Sequence, residues 1–118
     1  MAEEILHRVA IDWLLDIYGN LLTDKQREIA SLYYEEDYSL AEIAQQAGVS
    51  RQSVYDTLQR VEKQLLSTEE KLGIRKKFLD VERQVEAAMA SLSDQAAARQ
   101  HLEKALRLLN DEEEVNGL

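Results

Sequence analysis

Residues 39–66, SLAEIAQQAGVSRQSVYDTLQRVEKQLL, put a suitable residue type at each position a helix-turn-helix needs. Ser39 can accept a hydrogen bond at the start of a first helix, and Glu42 three residues on completes a capping box. Leu40, Ile43 and Ala44 fall on one face of that helix, with Ala44 small enough for two helices to cross closely. Gly48 can take the positive φ that ends the helix and turns the chain. Val49 fills the corner, Ser50 caps the next helix, and Val54, Leu58, Val61 and Leu65 continue one apolar stripe at helical spacing. A chance helical hairpin would show one or two of these features. All of them in register predict a helix-turn-helix.

The outer face of the second helix presents Ser50, Arg51, Gln52, Ser53, Tyr55 and Arg60, with Asp56 and Gln59 among them. In the usual docking mode such residues meet base edges in the major groove. Arg51 can pair bidentately with guanine and Gln52 with adenine. Asp56 is a poor neighbour for phosphate, and Glu62 weakens the far end of the helix in the same way. On the other reading Arg51, Arg60 and Lys63 are solvated charges around those two acids. Both readings stay open at this level.

Composition narrows the class. The 118 residues make one domain, or a small domain with a helical extension. With no Pro, four Gly and no alternating strand pattern, the chain is expected to be all-α, with about six helices. No apolar run reaches membrane-spanning length, and the start, MAEEILHRVAIDWLLDIYG, lacks the basic opening of a signal peptide, so the cytoplasm is the expected compartment. Without cysteine, disulfide and thiolate chemistry are excluded. The net charge is −9, and residues 21–70 alone sum to −5. A freestanding DNA-binding domain is usually basic, because releasing counterions from phosphates supplies much of its affinity.

Outward from the central motif, a first helix is expected from about Glu3 to Tyr18, ending at Gly19-Asn20. Its Ile5, Val9, Trp13 and Ile17 recur every four residues, flanked by Leu6, Ala10 and Leu14, a face broad enough to be buried. Thr23 caps a second helix with Gln26 at the capping-box position, and Ile29, Ala30, Leu32 and Tyr33 form its inner face. An N-terminal helical domain over 1–66 and a C-terminal helical extension over 67–118 follow. The recognition helix can run on to Leu72, or Ser67 can cap a new turn. Beyond Gly73, Ile74, Phe78, Val81, Val85, Ala88 and Leu92 make a heptad seam, and Ser93-Asp94 can cap a last helix carrying Ala98, Leu102, Ala105, Leu106 and Leu109. The seam and the first helix offer more apolar face than one small domain consumes, which favours a homodimer. The tail Asp111-Glu112-Glu113-Glu114 sits where the helix dipole disfavours acids, so fraying is expected.

Chemistry for catalysis is missing. His7 and His101 lie far apart without metal-ligand spacing, and no phosphate loop, nucleophile elbow or metalloprotease helix is present. The reading is therefore no enzyme, no metal and no cofactor. One basic patch stands out, Lys71, Arg75, Lys76 and Lys77 around Gly73, which could grip phosphates or an acidic protein surface. The simpler reading is a solvated helix start balanced by Asp80 and Glu82. Tyr33, Tyr34, Tyr38 and Tyr55 could instead belong to a protein interface, with the helix-turn-helix as scaffold.

The run LLTDKQREIASLYYEEDYSLAEIAQQAGVSRQSVYDTLQRVEKQL closely resembles the YlxM-like family of small bacterial helix-turn-helix proteins. Leu21-Leu22-Thr23-Asp24-Lys25-Gln26, Leu32-Tyr33-Tyr34, Asp37 through Ala44, and Gly48-Val49-Ser50-Arg51-Gln52 with Val54-Tyr55-Asp56 carry the likeness, which covers roughly residues 5–78. The resemblance implies a domain similar to the sigma-factor region 4 that recognises the promoter −35 element. Ser53, Tyr55 and Asp56 depart from it where basic residues belong. Members are encoded beside the signal recognition particle's targeting GTPase and its receptor. The resemblance thus implies a regulatory or accessory protein of that pathway, with the particle protein, its receptor or its RNA as partner. A sequence-specific transcriptional regulator on DNA is the alternative.

Overall fold

The computed structural model describes residues 2–110, and among these every regular element is helical. Six α-helices follow in order: α1 Ala2–Tyr18, α2 Asp24–Tyr34, α3 Leu40–Ala47, α4 Arg51–Leu72, α5 Ile74–Ala90 and α6 Gln95–Leu109. A 3-10 turn over Gly19–Leu21 links α1 to α2. The acidic tail from Asp111 lies outside the described residues.

The chain divides at Gly73 into two compact units. The first holds α1 to α4 around the long α4, which packs against α1, α2 and α3. Its core is Ile11, Leu14, Leu15, Ile29, Ala30, Ile43, Ala44, Val54, Leu58, Val61 and Leu65, so the stripe expected on the recognition helix is the one buried. Burying a side chain of this size contributes about 1.5–3 kcal/mol, and this core is what sets the crossing of α3 on α4.

Local signals fix the helix ends. The Thr23 and Ser39 hydroxyls accept from the Gln26 and Glu42 amides, and each partner side chain reaches back to complete a capping box. Ser50 Oγ accepts the Ser53 amide at 3.0 Å. Gly48, at φ +70°, lets its own amide and that of Val49 turn back to the Ala44 carbonyl, which closes α3 and aims the chain into α4. A left-handed residue also ends α4, where Gly73 sits at φ +62° with its amide on the Glu69 carbonyl. Ser67 starts no new turn. α4 runs unbroken through residue 66, where sequence placed the end of the N-terminal domain, because nothing before Gly73 interrupts the helical pattern.

Two expected apolar faces are not buried as read. On α1 the buried side is Ile11, Leu14, Leu15 and Tyr18, whereas Ile5, Leu6 and Val9 are exposed and Trp13 is half-buried. The four-residue spacing marked an amphipathic helix, but the stripe that meets α4 is rotated from it.

The second unit is an antiparallel hairpin of α5 and α6. Its turn is closed by the Asp94 amide on the Ser91 carbonyl at 2.8 Å, and Asp94 then caps α6 by accepting from the Ala97 amide. The hairpin seam runs through Val81, Gln84 and Ala88 facing Ala98, His101 and Ala105, with His101 Nδ1 3.1 Å from Gln84 Oε1. Small alanines let the helices approach closely. Of the heptad seam expected from sequence, only Ala88 is buried, and Phe78, Val85 and Leu92 remain exposed.

Candidate functional site

The first three turns of α4 carry the residues expected to touch nucleic acid. Arg51, Gln52, Tyr55, Asp56, Gln59 and Arg60 are exposed, and Ser53 is half-buried. They form one continuous face because α4 is anchored from behind by Val54, Leu58 and Val61, spaced three and four apart. Arg51, Gln52 and Tyr55, with Leu40 from the start of α3, line a shallow depression of about 330 Å³. Ser50 differs in role from its neighbours, since its hydroxyl oxygen is engaged as the helix cap. Gln52 donates through Nε2 to Asp56 Oδ1 at 3.0 Å. The adenine-reading amide is thus tied to a carboxylate on the same helix.

The basic residues around Gly73 fall in different units. Lys71 is exposed in the last turn of α4, where a cation complements the helix dipole. Arg75, Lys76 and Lys77 occupy the first turn of α5, where the dipole disfavours cations.

A second feature of the first unit escaped the sequence. α1, α2 and α4 enclose a cleft of about 510 Å³ lined by Glu3, Glu4, Ile5, His7, Arg8, Tyr33, Tyr34 and Glu62. On its floor Glu62 accepts from the Tyr34 hydroxyl at 3.0 Å through one oxygen and pairs with His7 Nε2 through the other. Burial pushes the Tyr34 hydroxyl pKa well up, and the charge and hydrogen bond of Glu62 push it further. The Arg8 guanidinium lies 4.3 Å from the Tyr33 ring centre, donates to the Tyr33 carbonyl, and donates to Asp37 at 3.0 Å. Asp37 adopts φ +61°, a conformation that Asp tolerates better than most residues. The two tyrosine rings meet edge to face at 5.0 Å. These partners lie 25 to 55 residues apart in sequence, and only helical spacing, not pairing between helices, is readable there.

Nearby, Asp12 and Asp16 of α1 and Glu35 at the end of α2 bring one carboxylate oxygen each within 4.8 Å of the others. Partial burial raises the Asp12 carboxyl pKa, Asp16 and Glu35 raise it further, and Arg8 opposes them. The Asp12–Asp16 spacing of four is visible in sequence, but the approach of Glu35 is not.

Known proteins resemble this sequence as a family. The family model described as "Putative helix-turn-helix protein, YlxM / p13 like", UPF0122, matches residues 5–109 and so spans both units. The chain belongs to the UPF0122 family. The UPF0122 protein of Clostridium perfringens strain 13 is 44% identical over 98 residues, which are 83% of this chain and 88% of that one. That of Clostridium botulinum is 47% identical over 78 residues, 66% of this chain and 72% of the relative. That of Thermoanaerobacter pseudethanolicus is 56% identical over 68 residues, 58% of each chain, so this match spans less than two thirds of that relative. UPF0122 membership fixes a helix-turn-helix protein and names no reaction. No helix among the described residues is long and apolar enough to cross a membrane.

Proposed function

We propose that this UPF0122 protein is a non-enzymatic regulator that binds its target through the helix-turn-helix unit, and that the target is protein or ribonucleoprotein rather than bare DNA. The observation that carries this reading is the Gln52–Asp56 hydrogen bond on an otherwise intact recognition face. It ties up one base-reading amide and sets a carboxylate where phosphate would come. With residues 21–70 at −5, the counterion-release contribution that drives DNA binding is weak. An acidic surface instead steers basic partners toward it.

We take the target to belong to the signal recognition particle pathway, as the resemblance to the YlxM family implies, with the particle's GTPase, its receptor or its RNA as the partner in the cytoplasm. The chain works as a homodimer through the α5–α6 hairpin. Val85 and Met89 on α5, and Leu102 and Leu106 on α6, each follow a seam position by one residue and are exposed. In an antiparallel hairpin those positions share one side, and that apolar side suits a second copy. Titration of the purified protein against the purified GTPase, the receptor and the RNA tests the reading. Binding to one of them, or altered GTP turnover, supports it; binding to none with turnover unchanged removes it.

The alternative is sequence-specific DNA recognition through Arg51, Gln52, Ser53 and Arg60, favoured by the exposure of Arg51, Gln52 and Arg60. Specific retention in a bandshift that weakens steeply with salt, and a loss of about 1–3 kcal/mol for Arg51→Ala, would establish it in place of the first reading.

A further inference from the structure

The cleft between α1, α2 and α4 shares no lining residue with the depression at Arg51, Gln52 and Tyr55, and its Glu62 lies about three turns along α4 from Arg51. Its walls combine two kinds of surface. Ile5 and the rings of Tyr33 and Tyr34 give it an apolar interior, and 510 Å³ is room for one or two large side chains. Glu3 and Glu4, from the first turn of α1, bring carboxylates to its rim, and Glu62 brings a third to its floor. Arg8 stacked 4.3 Å from the Tyr33 ring centre shows that these rings already take a guanidinium on their face. Beside the opening, Ile5, Leu6 and Val9 stay 60%, 67% and 59% exposed, which extends an apolar strip along α1.

From this we infer that the cleft is a docking site for a basic amphipathic segment of a partner protein. Apolar side chains of the segment enter between Ile5 and the tyrosines while its Lys or Arg side chains meet Glu3 and Glu4. Charge decides the occupant. Phosphate-bearing ligands and anionic lipid surfaces are repelled by Glu3, Glu4 and Glu62, which outnumber the lining Arg8, itself paired with Asp37. A basic segment gains both from apolar burial and from electrostatic steering. The inference goes beyond the function proposed above and does not rest on it.

The test uses the full chain and two labelled helical peptides with the same Leu and Trp face, one bearing Lys and Arg on the opposite face and one bearing Glu. Fluorescence anisotropy gives the affinity, and amide chemical shifts map the contact. The basic peptide should bind and shift residues 3–8, 33, 34 and 62. The acidic peptide, and the basic peptide against the double variant Glu3→Lys/Glu4→Lys, should each bind at least about tenfold more weakly, because rim charges act through complementarity. Arg51→Ala should leave this binding unchanged, so its outcome is distinguishable from that of the recognition-face experiments. Equal binding of the two peptides, an unaffected double variant, or shifts confined to the start of α4 or to α5–α6 would overturn the inference. Both glutamates are exposed in a first helical turn, so a retained circular dichroism spectrum is expected of the variant.

Discussion

Gln52 Nε2 lies 3.0 Å from Asp56 Oδ1, one turn along the exposed start of α4. The pair sits where a helix-turn-helix reads bases, and it replaces a free amide and a neutral surface by an internal hydrogen bond and a negative charge. Exposed pairs of this kind contribute only a few tenths of a kcal/mol to stability, so the effect of this one falls on what α4 can bind.

Asp56→Lys should therefore increase retention of nonspecific duplex DNA in a bandshift. It removes one charge that repels phosphate and adds one that attracts it. The slope of log affinity against log salt should steepen by roughly one, as one more phosphate contact forms. Unchanged retention at low salt would show that the recognition face does not approach DNA at all.

Gly48→Ala should destabilise the first unit by about 1–2 kcal/mol in urea unfolding, because a Cβ disfavours the left-handed conformation. Beyond its own chain neighbours nothing lies within 4 Å of that Cβ, so the cost is backbone strain and not a clash. Gly48→Asn should recover part of the loss, since Asn tolerates positive φ.

Asp12→Asn should raise the melting temperature modestly at neutral pH. The Asp12 carboxyl pKa is raised by burial and by Asp16 and Glu35, so the folded state prefers it protonated. Its contribution to stability is fully present below the unfolded Asp pKa of about 4 and is lost as pH rises through the higher folded value. The variant's advantage should therefore shrink in acid, and melting curves from acid to neutral pH check this.

If the proposed α5–α6 dimer forms, Leu102→Glu with Leu106→Glu should convert it to a monomer in light scattering while helix content is retained. Both leucines are exposed within the hairpin, at 47% and 58%, so the substitutions cost the hairpin little by themselves. A wild-type chain that is monomeric at high concentration would contradict the dimer.

Much of the first unit was legible because its signals are local. Ser39 with Glu42, Thr23 with Gln26, Gly48, and the stripe Val54–Leu58–Val61–Leu65 are all set by spacings of three to four residues, which helix geometry makes meaningful. What covers an apolar face is not local, so the exposure of Ile5, Val9, Phe78 and Val85 could not be read from their spacing. The cleft was hidden for the same reason: Tyr34, His7 and Glu62 meet only because α4 returns past both earlier helices. Arg51, Gln52 and Tyr55 line one depression, as their spacing implies, whereas Lys71 and Arg75–Lys77 are divided between two units.

Regulation of protein targeting by this chain is decided by GTP turnover of the signal recognition particle's GTPase with its receptor, measured with and without this protein. The rate should change at stoichiometric protein, and the combined Arg51→Ala/Tyr55→Ala variant of the recognition face should diminish that change. An unchanged rate, with no binding to the GTPase, the receptor or the RNA, would contradict it.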